Sequence, residues 1–245
     1  MKQKIKEILS AIKDWHIVVV GSGGTGSNLV PHLSQLIFSL TKENISMVLA
    51  DEDVVEEKNI GRQFFVEADL GQNKARTLQM RYTTAWGVNI SYLPHYITND
   101  EMLIRLLKQN KKSMPILVGC VDNHKSRQIF HRVFEQMEDI IYLDAGNSEF
   151  AGQVVMGLKH QSQTLLEPVA NFYPDILTST DGISIGGTCS QQVIEVPQSL
   201  VANLWAATTL LSFINNIIGL KEVPVNMATF NAQNVVCKPE YIDSL

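Results

Sequence analysis

The sequence predicts an α/β fold built on a mainly parallel, doubly wound sheet. Along the first 150 residues, short apolar runs rich in β-branched residues alternate with segments whose apolar residues recur at helical spacing. Such alternation is typical of parallel strands covered by helices on both faces. The clearest unit is an apolar run at 16–20, a glycine-rich turn, a helix and a second apolar run at 45–50. This Rossmann-like order is the nucleotide-binding half of a doubly wound sheet.

The turn after the first strand reads Gly21-x-Gly23-Gly24-x-Gly26. Glycines let the backbone turn sharply and approach a phosphate, and the free N–H groups at a helix start attract its charge. Asp51 follows the second strand directly, where an acid in this type of fold accepts ribose hydroxyls. Glycines also serve ordinary turns, but the strand, the helix and the trailing acid together favour nucleotide binding.

The remaining elements of the first 150 residues continue the alternation. An amphipathic helix precedes the first strand, and 54–72 form a loop or a short helical excursion. We expect further helices at 74–86, 100–110 and 124–137, and strands at 89–93, 116–121 and 140–143. Asp51, Asp122 and Asp144 each follow a strand candidate, and such positions share one edge of an open parallel sheet. For Asp144 a role as a cap or turn residue is favoured over ligand binding.

The pattern changes from Gln153 onward. We expect a strand at 153–157, a long apolar helix at 199–218 and loosely alternating edge strands at 225–236. Residues 159–188 lack clear periodicity, and their length indicates a functional loop or a partner-binding element. The simplest division is a single domain, 1–245. Its nucleotide-binding half is 1–150, and a partner-binding and crossover-loop half follows at 151–245.

Composition limits the class of protein. Apolar residues make up 45% and charged residues 18% of 245 residues, and the net charge is −5, which gives no reason to expect nucleic-acid binding. Cys120, Cys189 and Cys237 form no CxxC pair, so neither a zinc ribbon nor a disulfide framework is indicated. The apolar run 201–218 contains asparagines and is barely long enough to cross a membrane. We expect a cytoplasmic protein without a membrane partner.

A set of polar residues between 51 and 123 suits a triphosphate. Lys74 begins a predicted helix, so its ammonium and the helix start both favour phosphate. Arg62 offers a forked donor, and Asp122 could hold Mg²⁺ together with phosphates and water. Each cation alone is usually a solvated surface residue, but their spacing between two strand-end aspartates favours the site. Attack of a carboxylate on the α-phosphate of ATP builds charge that such cations must hold.

The order of these motifs resembles the ThiF/MoeB superfamily, the ubiquitin-activating-type adenylating enzymes. The chain has the superfamily's features in order: the GxGGxG turn, Asp51-Glu-Asp53, Asn59-Ile-Gly-Arg62-Gln63 and Gly71-Gln-Asn-Lys74-Ala75. The resemblance implies ATP-dependent adenylation of the C-terminal carboxylate of a small ubiquitin-like protein, with ATP and Mg²⁺ as cofactors. It also implies that the chain forms a homodimer.

The same resemblance implies residue roles. Asp51 corresponds to the ribose ligand, and Asn59, Arg62 and Lys74 to the phosphate-contacting group. Asp122-Asn123 is similar to the superfamily's metal-and-nucleotide pair, with Asp122 as the Mg²⁺ ligand. Gln63 belongs to the same motif without an assigned role.

Cys189 leaves two interpretations open. It lies in Gly187-Thr-Cys189-Ser-Gln, ahead of the long apolar helix. In the superfamily a cysteine at a comparable place can take the activated carbonyl as a thioester or carry sulfur. Most free cysteines are instead buried small hydrophobes, and no adjoining Lys, Arg or His is present to lower the pKa of this thiol. Cys120 is expected in the core, and Cys237 has no catalytic context.

The sequence departs from the superfamily pattern in two ways. Both CxxC pairs that hold zinc in many members are absent, so we expect no structural zinc. No arginine precedes Arg62, although members that complete their site across a dimer use an N-terminal arginine. The zinc-free second half, with Gly152-Gln153 and Tyr173-Pro174, is most similar to the ThiF component of PRTRC systems.

Three alternative functions remain at this point. An NAD-dependent oxidoreductase would share the glycine turn and Asp51 but would not need Arg62, Lys74 and Asp122 around a triphosphate. A catalytically inactive adaptor would keep the fold and bind a ubiquitin-like tail. Adenylation of a small-molecule or RNA-borne carboxylate is the third, and the scattered basic residues argue against RNA.

Overall fold

A nine-stranded sheet runs through the residues that the computed structural model describes, which are 1–110, 112–180 and 199–242. Its strands are β1 (Asp14–Val20), β2 (Asn44–Ala50), β3 (Ile90–Leu93), β4 (Met114–Gly119), β5 (Ile140–Asn147), β6 (Ala151–His160), β7 (Gln163–Leu166), β8 (Val225–Asn231) and β9 (Val236–Tyr241). The strand order is β3-β2-β1-β4-β5-β6-β8-β9, with β7 paired to β6. Strands β1 to β5 pair in parallel and the others antiparallel. The predicted fold class is confirmed.

Helices cover both faces of the sheet. They are α1 (Lys2–Ala11), α2 (Gly24–Ser39), α3 (Lys74–Trp86), α4 (Asp100–Leu107), α5 (His124–Gln136), α6 (Val169–Phe172), α7 (Asp175–Thr178) and α8 (Leu200–Ile214). The sheet separates two hydrophobic cores. In strand β1, Ile17 and Val19 face one core while Val18 and Val20 face the other. Helices α1, α2, α3 and α8 contribute to the first core, and α4 to α7 contribute to the second.

The chain order creates a crevice at one edge of the sheet. From β1 the chain moves outward to β2 and β3, and then returns to the other side of β1 as β4. Where the strand order reverses, the connections after β1 and β4 lead to helices on opposite faces of the sheet. This opens a crevice for ligands at the carboxyl ends of the strands. Helices α2 and α5 begin at this edge, directly after β1 and β4.

Several predicted elements differ from the structure in their bounds. Strand β4 ends at Gly119, before Asp122, whereas β5 continues to Asn147, so Asp144 lies inside a strand. The 159–188 segment contains β7 and the short helices α6 and α7 in its described part. Strand β8 lies between β6 and β9, so its prediction as an edge strand is wrong, and β9 forms the edge.

The long apolar helix ends earlier than expected as an α-helix. Helix α8 stops at Ile214 and continues as a π-helical segment, Asn215–Leu220. Together they are long and apolar enough to cross a membrane, and half of the most apolar window is buried inside the protein. Helix α8 packs against α2 and strands β5 and β6, as expected for a core helix.

Candidate nucleotide-binding site

The glycine turn and the end of β4 touch each other at the crevice. Gly21 has φ +96°, and a Cβ on it would lie 2.4 Å from the carbonyl oxygen of Cys120. A Cβ on Gly26 would lie 1.9 Å from the carbonyl oxygen of Gly21. Both contacts require glycine, since no side chain fits at these distances. The turn therefore brings the start of α2 against the loop that leads to Asp122.

A polar cluster from α8 covers the start of α2. The Asn203 Oδ1 accepts a hydrogen bond from Asn147 Nδ2 at 3.0 Å, and the Thr25 hydroxyl donates to Asn147 Oδ1 at 3.3 Å. A Cβ on Gly24 would lie 2.3 Å from Asn203. The buried Asn203 side chain thus packs directly over Gly24 and joins α8 to the turn.

The side of the turn at Gly23 is open. The nearest atom to a Cβ built there is Gln63 Nε2, at 3.9 Å. Among the described residues, the buried Ser22 Oγ and Gln63 Oε1 have no hydrogen-bond partner. Buried polar atoms are normally paired. The Ser22 hydroxyl can donate to a phosphate oxygen, whereas Gln63 Oε1 only accepts and fits a ligand donor such as a hydroxyl group.

Asp51 is almost fully buried at the end of β2. Its Oδ2 accepts the backbone N–H of Ser22, and its Oδ1 accepts that of Asp53 at 2.8 Å. Burial, reinforced by the negative charge of Asp53, raises the pKa of Asp51 to about 6. An acid held at such a cost inside a crevice is a candidate for ligand binding.

Lys74 is buried at the start of α3 and forms an ion pair with Asp53. Its Nζ lies 3.0 Å from Asp53 Oδ2, while the Tyr96 hydroxyl donates to Asp53 Oδ1. Burial opposes ionisation of Asp53, but these partners outweigh it and lower the pKa of its carboxyl. Asn73 caps α3 and donates its Nδ2 to the carbonyl of Asp51 at 2.8 Å. The ammonium and the helix start are therefore fixed beside the end of β2.

The Asn59–Gln63 motif forms a loop against α2. The buried Asn59 accepts the backbone N–H of Glu56 at 2.9 Å, which shapes the loop. Arg62 donates its Nε to the carbonyl of Lys58 at 3.1 Å. The N–H of Phe64 donates to the buried Ser27 of α2 at 3.0 Å. The motif thus lies next to the glycine turn, and phosphate contacts for Asn59 and Arg62 stay predictions.

Asp122 and Asn123 lie between β4 and α5. Asp122 is exposed, and Asn123 caps α5 by accepting the N–H of Ser126 at 2.8 Å.

The environment of Asp144 differs from the prediction made from the sequence. It is 1% exposed and pairs with Arg127 Nε at 2.9 Å, so its expected role as a cap or turn residue is wrong.

The cysteines have separate environments. Cys120 packs against the core, where burial and then the charge of Asp144 raise the pKa of its thiol. Cys237 is exposed on β9. Cys189 lies outside the described residues. Within 1–110, 112–180 and 199–242, no group of three or more His, Cys, Asp or Glu side chains is arranged to hold a metal ion.

The crevice therefore gathers the glycine turn, Asp51, Lys74 and Gln63. Sequence reasoning missed Tyr96, Arg127 and Asn203 as parts of this region. Tyr96 follows β3, whose end pairs next to β2, so its place after a neighbouring strand was a usable signal. Asn203 carried only the signal of a polar residue in an apolar helix.

Comparisons with known proteins agree with this architecture. The model of the ThiF family matches residues 2–237. The structure is similar to a crystal structure of PaaA, with a TM-score of 0.67, 15% identity and coverage of 98% of this chain and 67% of that chain. It is also similar to E. coli MccB solved with AMPCPP and MccA, with a TM-score of 0.64, 16% identity and coverage of 97% and 65%.

A further structure of E. coli MccB, with ATP, has a TM-score of 0.64, 16% identity and coverage of 97% and 65%. At such identities the likeness shows the fold. The chain spans about two thirds of the length of these structures. The ThiF family model, in contrast, matches nearly all of the sequence and therefore shows family membership. On that match, the chain belongs to the ThiF family.

Proposed function

We propose that this protein uses ATP to adenylate the C-terminal carboxylate of a small ubiquitin-like protein. A carboxylate oxygen attacks the α-phosphorus of ATP, the bond to the bridging oxygen breaks, and pyrophosphate leaves. The product is an acyl adenylate, a mixed anhydride of the carboxylate and AMP. Family membership supports the reaction class, and the MccB structures with ATP and with MccA show such ligands on a protein of this fold.

One observation carries the proposal. The open Gly23 side of the turn, the buried carboxyl of Asp51 and the buried ammonium of Lys74 lie together at the carboxyl edge of the sheet. An oxidoreductase would use the turn and the acid, but it would not need a buried lysine at a second helix start. A cation there suits the charge of a triphosphate.

The residues divide the work by chemistry. The carboxylate of Asp51 accepts ribose hydroxyls with the lone pairs that its two backbone donors leave free. Lys74 and Arg62 hold phosphate oxygens as negative charge moves to the leaving pyrophosphate. The exposed Asp122 fits Mg²⁺, because this ion is typically held by one or two carboxylates with phosphates and water. Mg²⁺ would supply neutralisation of the phosphate charge.

The finer parts of the proposal rest on the resemblance and on composition. Cys189 then takes the acyl group as a thioester, releasing AMP. The protein acts as a homodimer in the cytoplasm, in a PRTRC-type system. A lysine near the N-terminus takes the place of the missing arginine, although it lacks the fork of a guanidinium.

The test is ATP–pyrophosphate exchange with recombinant small proteins encoded beside this chain, together with ATP binding by calorimetry. Lys74→Met should reduce exchange about 100-fold, since removing one preorganised donor to developing charge costs that much. Lys221→Met is the matched control, because Lys221 lies beside Trp15 and Glu43 at the amino edge of the sheet. Its exchange rate should equal that of the wild type once folded protein is compared.

The outcomes separate the candidate functions. ATP binding and complex formation without exchange would favour an inactive adaptor. Nicotinamide binding with no ATP binding would favour an oxidoreductase. Cys189→Ala should leave exchange intact and abolish only a covalent adduct in intact-mass measurement, and loss of exchange would contradict the assigned division of roles.

A further inference from the structure

A buried ion pair lies behind the β4–α5 loop. Arg127 Nε and Asp144 Oδ1 are 2.9 Å apart, and their side chains are 9% and 1% exposed. The Tyr142 hydroxyl donates to the other carboxyl oxygen of Asp144 at 2.8 Å. Removing two charges from water costs several kcal/mol per ion and often outweighs their attraction. Stability alone therefore explains this pair poorly.

The guanidinium makes further contacts to the backbone. Arg127 Nη2 donates to the carbonyl of Val121 at 2.7 Å and to that of Ala145 at 3.1 Å. The carbonyl of Val121 belongs to the peptide unit that leads into Asp122. A Cβ on Gly21 would lie 3.5 Å from Val121 Cγ1, so the side chain of the same residue adjoins the glycine turn. Arg127 thus holds the backbone from which Asp122 projects.

We propose that Arg127, fixed by Asp144 and Tyr142, is a positioning residue that orients Asp122 toward Mg²⁺ on the bound nucleotide. The inference rests on the proposed function and assigns to that site a residue remote from the ligand. Asp122 is exposed, so its direction depends on the backbone that carries it. Partners that orient a metal-binding group typically contribute 10- to 100-fold in affinity or activity.

The experiment measures ATP binding by equilibrium dialysis over a series of Mg²⁺ concentrations and in EDTA. Arg127→Lys keeps a cation for Asp144 but loses the fork that also reaches Val121. The Mg²⁺ concentration needed for half-maximal ATP binding should rise about 10-fold, while binding in EDTA stays unchanged. Arg132→Lys is the matched control, because Arg132 lies on the same helix and pairs with Asp100 at 2.8 Å but is 51% exposed. Its Mg²⁺ dependence should stay at the wild-type value.

A double variant separates positioning from general structural support. Asp122→Asn should also raise the Mg²⁺ requirement, and Arg127→Lys in that background should add less than 2-fold, because Arg127 acts through Asp122. Fully multiplicative effects would overturn the inference. Should Arg127→Lys not fold, Tyr142→Phe decides in its place, since it removes only the hydroxyl that fixes Asp144. A wild-type Mg²⁺ dependence in that variant would then overturn it.

The failures of the two proposals differ. If the wild-type protein binds no ATP, the proposed function fails and the positioning role fails with it. If Asp122→Asn changes the Mg²⁺ requirement but a folded Arg127→Lys does not, only the positioning role fails.

Discussion

The two ends of strand β2 carry acids in opposite electrostatic states. Glu43 precedes the strand and Asp51 follows it. Burial opposes ionisation of Glu43, but hydrogen bonds from Lys221 and Trp15 outweigh it and lower the pKa of its carboxyl. At the other end, burial and the charge of Asp53 raise the pKa of Asp51 to about 6. The surroundings of β2 thus stabilise the charged form of the acid before the strand and destabilise the charged form of the acid after it.

The surroundings of the two acids differ in the same way. Lys221 Nζ lies 2.7 Å from Glu43 Oε2, 3.1 Å from the carbonyl of Ile12 and 4.6 Å from the centre of the Trp15 ring. Near Asp51, the buried Ser22 Oγ has no partner among the described residues. Glu43 at the amino edge is therefore paired within the protein, whereas the Ser22 hydroxyl at the carboxyl edge is available to a ligand. Perturbed, incompletely paired groups of this kind cluster at functional sites.

The largest expected stability effect belongs to the amino edge. Lys221→Met leaves the mostly buried Glu43 without its main cation and should lower the free energy of unfolding by about 2 kcal/mol. Urea unfolding at pH 7.5 measures it. Lys13→Met is the control, because Lys13 approaches the same carboxylate at 3.5 Å but is 62% exposed, and its loss should stay within about 0.5 kcal/mol. Equal losses in the two variants would contradict the inference that Lys221 is the main cationic partner of Glu43.

At the carboxyl edge, the stability that Asp51 contributes should fall as the pH rises. The folded state holds the proton of Asp51 up to about pH 6, whereas its ordinary pKa is 3.8, so its contribution to stability is lost as the pH rises through this window. From pH 5 to pH 7.5 the loss amounts to about 1 kcal/mol. The measurement compares the free energies of unfolding of the wild type and Asp51→Asn at both pH values.

The comparison with Asp51→Asn also removes a competing titration. Burial lowers the pKa of His16, so that residue favours folding as the pH rises toward its ordinary value of 6.5, against the trend of Asp51. Because His16 is present in both proteins, its contribution cancels in the difference. A difference that stays constant from pH 5 to pH 7.5 would mean that Asp51 titrates normally.

Local patterns were sufficient for much of the fold and for part of the site. Asp51 and Lys74 could be located from the sequence because a strand end and a helix start are both visible in hydrophobic periodicity. Their relation to each other was not visible, since Asp53 stands between them and binds the ammonium. The Asn59–Gln63 motif predicted a site residue, while the structure shows that Asn59 also shapes its own loop.

The failures share a physical cause in contacts between distant residues. An aspartate inside the buried strand β5 is possible only because Arg127, 17 positions earlier, supplies a cation. Periodicity read Asp144 as the end of the strand, since an isolated buried charge is costly. Likewise, Tyr96 reaches Asp53 across 43 positions and Asn203 reaches Asn147 across 56. No single window of sequence contains either pair.

The smallest expected effect on stability concerns the hydrogen bond from Tyr96 to Asp53 at the carboxyl edge. Tyr96→Phe removes the hydroxyl that donates to Asp53, yet this carboxylate is 45% exposed and keeps Lys74. Water can replace the hydroxyl, so the loss in the free energy of unfolding should be about 0.5 kcal/mol at pH 7. It should shrink as the pH falls below 3.8, because the lowered pKa of Asp53 contributes stability only while the carboxyl is ionised. Tyr92→Phe, on the neighbouring β3 and 40% exposed, is the control. A loss of stability as large as that of Lys221→Met would mean that the partners of Asp53 stabilise its carboxylate as strongly as Lys221 stabilises Glu43. The contrast between the two edges of the sheet would then depend on Asp51 alone.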